Sequence, residues 1–211
     1  MMQIAKFMLF FLVALPLSCC KEGTGTGDVH GSVSIESCSL ESDNFNLKVD
    51  FFAATYSDNS LIIRLQHTGD LQTFADGLIL DIRDVKSVYE NPGVPLDIAL
   101  VPSVETFLET GPTGVGDNAH VPMTPHESPA RATLYLNDTC PGNRLAFTDG
   151  EGTLTFDSIY YPNKDTLIEG TLDLSFIDPR SYEDGQVKDS ASLTGTFRFH
   201  YDRNPQEQTF I

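Results

Sequence analysis

With 211 residues, 40% of them hydrophobic, the chain can form one well-cored domain or two small ones, and it is too apolar to remain disordered. Its 13 Lys and Arg against 30 Asp and Glu leave a formal charge of −17. So negative a field argues against nucleic acid as a partner and against electrostatic docking on anionic lipid. It fits a binder of cations or basic partners, or simply the solubility of an exported protein.

The chain opens with one positive charge, Lys6, before an apolar run from Phe7 to Leu17 that is interrupted only by Pro16. The run is too short to span a hydrocarbon core, which takes roughly twenty residues. Leu17-Ser18-Cys19-Cys20 comes next, small and sulfur-bearing residues where a secretory signal is cut. This layout resembles the lipobox of bacterial lipoproteins, in which the cysteine after the cut is diacylated and becomes the new N-terminus. Cys20 fits best, with Leu17 and Ser18 at the third and second positions upstream. Cys19 is the alternative, but it puts Pro16 where leucine is expected. The resemblance implies export and a membrane anchor. Because Lys21, not Asp, follows Cys20, it also implies the outer membrane of a cell that has one.

Residues 1–19 are therefore expected to be a signal and residues 20–29 a flexible tether, since Gly23-Thr24-Gly25-Thr26-Gly27 has no apolar residue to bury. Residues 30–211 then form a single β-rich domain. Cys38 and Cys140 remain as an even pair, which an oxidising compartment favours joining. The bridge would close a loop of about 100 residues and, on the chain-entropy model, stabilise the fold by about 4–5 kcal/mol.

Period-two alternation dominates the rest of the chain. Leu47, Val49, Phe51 and Ala53 read as one face, and the turn Ser57-Asp58-Asn59-Ser60 leads into Leu61, Ile63 and Leu65, with Ile62, Arg64 and Gln66 opposite. Leu78, Leu80 and Ile82, then Ala132, Leu134 and Leu136, mark two more inward faces. A short turn of helix is expected at Gln72–Ala75 or Val85–Tyr89. From Pro92 to Pro129 seven prolines and Gly111-Pro112-Thr113-Gly114-Val115-Gly116 break the pattern, and only Leu96–Val101 reads as a strand. This is a long excursion inserted into the domain. Three alternating strands close the chain. They carry Leu154 and Phe156, then Leu172, Leu174 and Phe176, then Phe197, Phe199 and Tyr201, and together predict an antiparallel meander. Gly152, Gly170 and Gly195 are read as entry bends or bulges. The fold class is all-β: an antiparallel β-sandwich, or else a partly open barrel, with a long Pro/Gly-rich loop.

Chemistry is sparse. His120 and His126 in the long loop could contribute to a metal site, but their spacing is no established ligand frame. Asp178, Glu183, Asp184 and Asp189 surround Gly185 as oxygen-rich calcium loops do, without the regular Asp-x-Asp-x-Asp-Gly order. Gly-x-Ser-x-Gly, His-Glu-x-x-His and phosphate-cradling glycine loops are absent from the sequence. The pieces Arg131-Ala132-Thr133-Leu134-Tyr135-Leu136-Asn137, Gly152-Thr153-Leu154-Thr155-Phe156 and Gly195-Thr196-Phe197-Arg198-Phe199 resemble uncharacterised bacterial lipoproteins with Gly-Thr-initiated strands. That resemblance implies no activity and no catalytic residues. The expectation is a non-catalytic, lipid-anchored envelope protein that presents a binding or scaffolding surface. It would use no cofactor, and its partners would be the membrane and possible envelope proteins. A small-ligand carrier with a barrel cavity and a calcium-dependent adhesion module are the alternatives.

Overall fold

The computed structural model describes residues 21–68, 75–98, 128–141, 146–148, 150–178, 181–184 and 186–201. Its strands are β1 (Lys21–Ile35), β2 (Leu40–Asn46), β3 (Phe51–Ser57), β4 (Ser60–Gln66), β5 (Asp76–Ile82), β6 (Leu96–Ile98) and β7 (Ala130–Leu136). Then come β8 (Ala146–Thr148), β9 (Glu151–Ser158), β10 (Leu167–Ile177), β11 (Tyr182–Glu183), β12 (Gln186–Val187) and β13 (Ser190–Tyr201). A short helix, α1 (Val85–Glu90), lies between β5 and β6, and a 3-10 turn (Glu36–Cys38) comes after β1. The fold is all-β, as expected.

Eleven strands form one antiparallel sheet in the order β6-β9-β10-β13-β1-β3-β4-β5-β7-β8, with β2 paired to the far part of β1. The sheet curls until its ends approach. Gly150, just before β9, donates its N–H to Ala132 O on β7 at 3.1 Å. Inside the curl the Phe147 ring of β8 lies 6.4 Å from the Phe176 ring of β10. The result is a nearly closed barrel made from one sheet.

The segment expected to be a tether is instead part of the central strand. β1 pairs with β13 from Gly23↔Tyr201 to Ser34↔Ser190 and with β3 over Lys21–Gly23. The physical reason lies in the partner. On the inner face Gly23, Gly25, Gly27 and Gly31 stand opposite Tyr201, Phe199, Phe197 and Leu193. A Cβ at Gly25 would come within 2.3 Å of Phe199 Cβ, so the missing side chains are the space the rings occupy. The alternating threonines, β-branched and suited to strands, face outward. A glycine-threonine repeat lacks anything to bury until a row of large side chains lies across from it, and then it is a strand.

The β3 face is also corrected. Phe52, Ala54 and Tyr56 pair with Leu65, Ile63 and Leu61, whose side chains are fully buried, so these residues point inward and Phe51 and Ala53 do not. Leu47 and Val49 are buried as expected, but Lys48 between them has φ 51° and takes its N–H to Asn46 Oδ1 at 2.7 Å. That left-handed turn breaks the extended run, so alternation cannot be counted through it. Arg64 and Gln66, read as lying opposite Leu61, Ile63 and Leu65, are on the outer face but buried there. Arg64 Nε donates to Gln66 Oε1 at 2.7 Å, and its guanidinium sits 5.5 Å from the Phe51 ring centre.

Elsewhere the alternation holds. Leu78, Leu80, Ile82, Ala132, Leu134, Leu136, Leu154, Phe156, Leu172, Leu174, Phe176, Phe197, Phe199 and Tyr201 are buried and point into the curl. β9, β10 and β13 form the expected meander. Gly152, Gly170 and Gly195 lie inside strands, not before them; only Gly170 borders a register shift. α1 confirms the helical turn at Val85, and β6 covers the first part of the strand expected at Leu96. Residues 99–127 and Gln72 lie outside the described set.

Candidate functional site

Three places on the barrel gather chemistry: the outer face of the meander and the two ends of β1. On the outer face, neighbouring strands set polar side chains in rows. Thr155, Thr171, Thr196 and Asp28 form one row across β9, β10, β13 and β1, and Thr153, Asp173, Thr194 and His30 form the next. Between Ser158 and Phe156 the register shifts by one residue and Asp157 is the extra one. A bulge bends its strand and sharpens the local twist. Beside it the face sinks into a depression of about 340 Å³ lined by Thr26, Asp28, Asp157, Glu169, Thr171, Thr196 and Arg198. Arg198 Nε lies 3.7 Å from Glu169 Oε2, both partly exposed. One guanidinium, several hydroxyls and three carboxylates can donate to and accept from a polar ligand.

At the far end of β1 the disulfide joins Cys38 to Cys140, with Cα atoms 5.7 Å apart. The expected pairing is present. Buried Asp76 supports it from β5: its carboxylate accepts the N–H groups of Asp138 and Thr139 at 2.9 and 3.1 Å and the Thr139 hydroxyl. This clamps the turn that delivers Cys140. Next to the bridge, a concavity of about 530 Å³ is lined by Glu36, Ser37, Asp178, Ser181, Tyr182, Glu183, Lys188 and Asp189. So the structure does bring Asp178 and Asp189 together. Both are buried, and Asp189 holds loops in place: its Oδ1 accepts Glu36 N–H at 2.8 Å, and its own N–H goes to Ser181 Oγ at 2.8 Å. Asp184 sits at φ 51° in the turn between β11 and β12. Among the described residues no three His, Cys, Asp or Glu side chains converge as metal ligands. His120, His126, Cys19 and Cys20 lie outside the described residues.

The near end of β1 is aromatic. Tyr160 packs against Tyr201 and Tyr56 with ring centres 4.4 and 5.4 Å apart, and Tyr161 stacks on Tyr89 of α1 at 4.9 Å. The β3–β4 turn secures α1 here. Asp58 and Asn59 both have positive φ, 48° and 65°, as a two-residue hairpin loop of this hand requires. Asn59 donates to Asp84 Oδ1 at 2.8 Å and accepts Lys86 N–H at 2.9 Å. Asp84 is the N-cap of α1. The Ser87 N–H and the Asn59 amide hold its carboxyl below its ordinary value, aided by Lys86 and opposed by partial desolvation.

Sequence reading missed the Arg198 depression, the Asp76 clamp and the tyrosine end. Each depends on residues brought together from separate strands. The only local signals were the outward position of Arg198 and the Tyr160-Tyr161 pair. No family model matches the chain, and no curated protein or solved structure matches it either.

Proposed function

We propose that this protein is a non-catalytic, lipid-anchored cell-envelope protein whose barrel presents its outer face as a binding or scaffolding surface. The observation that carries this reading is where the chemistry lies. Among the described residues the inward side chains pack into one buried cluster, with ring pairs such as Phe52–Phe199 at 5.2 Å and Phe156–Phe197 at 5.9 Å. The polar rows and the Arg198 depression are on the outside. A carrier would keep its ligand in the space those rings fill.

The anchor rests on Leu17-Ser18-Cys19-Cys20. Intact mass of the protein extracted from its own membranes tests it: cleavage before Cys20 with added acyl chains is expected, and a full-length unacylated mass overturns it. For the surface, the folded domain is screened in parallel against hydrolase substrates and against immobilised glycans and envelope proteins. Saturable binding lost in Arg198→Ala, without turnover, is the expected result. Turnover of any substrate overturns the non-catalytic reading.

A further inference from the structure

We infer that the aromatic end of the barrel rests on the bilayer that holds Cys20, and that the disulfide end points away from it. This builds on the lipid-anchor reading above. Cys20 directly precedes Lys21, and Lys21 is already the first residue of β1, paired with Ala54. Adjacent Cα atoms are about 3.8 Å apart, so no spacer separates an acylated Cys20 from a hydrogen-bonded strand. The anchored end of the barrel must therefore lie at headgroup level.

The strand register sets the surroundings of that end. Gly23 pairs with Tyr201, and Tyr201 N–H bonds to Thr166 O at 2.7 Å, which brings the start of β10 alongside. Tyr56 lies two residues past Ala54 on β3, and the Tyr160 ring sits between Tyr56 and Tyr201. Tyr161 and Tyr89 stack beside them, half-buried, on the turn carrying Lys164 and on α1 carrying Lys86. Tyr160 and Tyr201 are buried, so the rings this end presents are those of the partly buried Tyr56, Tyr89 and Tyr161. Tyrosine is enriched where one side of a ring meets hydrocarbon and the other meets water, and lysine reaches headgroups from just above. Lys86, paired with Glu90 at 3.9 Å, and Lys164 share this end with Asp58, Asp84 and Asp165, so it carries more acid than base, and the anchor and the rings, not charge, hold it to a neutral bilayer. At the other end of β1, Glu36, Asp178, Glu183 and Asp189 line one concavity with a single lysine, Lys188. β1 has 15 residues. A strand rises about 3.3 Å per residue, so this acidic end stands tens of ångströms along the strand from the anchor.

The test uses the native acylated protein, its acylation confirmed by mass, in phosphatidylcholine vesicles. Amide hydrogen exchange is compared with that of a soluble chain lacking the signal and both anchor cysteines. Amides of Val85–Glu90 and of the Tyr161–Asp165 turn should slow about tenfold on vesicles, and those of Tyr182–Val187 should not change. A long Gly-Ser spacer inserted between Cys20 and Lys21 should abolish the slowing while leaving the protein membrane-bound. Acylated protein whose exchange is equal at both ends, or slowed at the disulfide end, overturns the orientation alone. Protein that carries no acyl chain overturns the anchor reading and the orientation with it.

Discussion

The two ends of β1 are held together by different means. At the disulfide end, short segments that are distant in sequence meet through a covalent bridge and through buried carboxylates that accept backbone N–H groups. Asp76 serves the Asn137–Cys140 turn and Asp189 serves the Glu36 turn. At the other end the chain is held by rings, with Tyr160 packed between Tyr56 and Tyr201 and Tyr89 on Tyr161. The difference shows how each kind of segment is ordered. Where turns offer little apolar surface, a cross-link and satisfied backbone donors replace packing. Where strands end on aromatic residues, ring packing takes the place of the cross-link, and Asp84, Asn59 and Asp165 satisfy the backbone donors of α1 and the neighbouring turn.

Breaking the staple should have the largest effect. Cys38→Ala with Cys140→Ala removes a cross-link spanning a sequence separation of 102. A loss of about 4–5 kcal/mol is expected, read from the denaturant midpoint. A loss under about 1 kcal/mol would show that Asp76 and packing hold that end without the bridge. Filling the glycine groove between the ends comes next. In Gly25→Val the first added carbon would lie 2.2 Å from Arg198 O, so a loss of about 2–3 kcal/mol is expected, with no change in a flexible tether as the opposite outcome.

Asp76→Ala leaves three donors of the Cys140 turn without their acceptor, for about 1–3 kcal/mol. It should also speed reduction of the disulfide, which thiol trapping can follow. Asp84→Ala at the aromatic end should cost about 1 kcal/mol, because a helix cap is exposed and α1 is short. Its carboxyl is depressed in the folded state. The stabilisation is therefore present above the unfolded value, about 3.9, and is lost as pH falls through the lower folded value. The stability difference between wild type and Asp84→Ala should be constant at neutral pH and should close only in acid below that value. Arg198→Ala should change stability least, by under about 1 kcal/mol, since its pair with Glu169 is exposed. It serves as the clean probe of the outer face.

Much of this was legible locally. Leu78, Leu80 and Ile82, or Phe197, Phe199 and Tyr201, show their inward face by period two alone, because a strand with one wet side imposes that pattern. The Asp58-Asn59 turn was readable because its backbone favours those residues. The Cys38–Cys140 pairing followed from parity. The phase of β3 was not legible, because Lys48 turns left-handed between two stretches that each alternate.

The amino-acid sequence by itself determined the all-β class, the meander, most of the core and the Cys38–Cys140 disulfide, since each follows from a local period or from counting. The tertiary structure alone decided that Gly23 to Gly27 form the middle of a sheet, that one curled sheet makes the barrel, and that Arg198, Glu169 and Asp157 share a depression. The reason is the same in all three cases. A glycine strand, a barrel closure and a surface cluster are each completed by partners on other strands, and no local pattern encodes the far side of a contact.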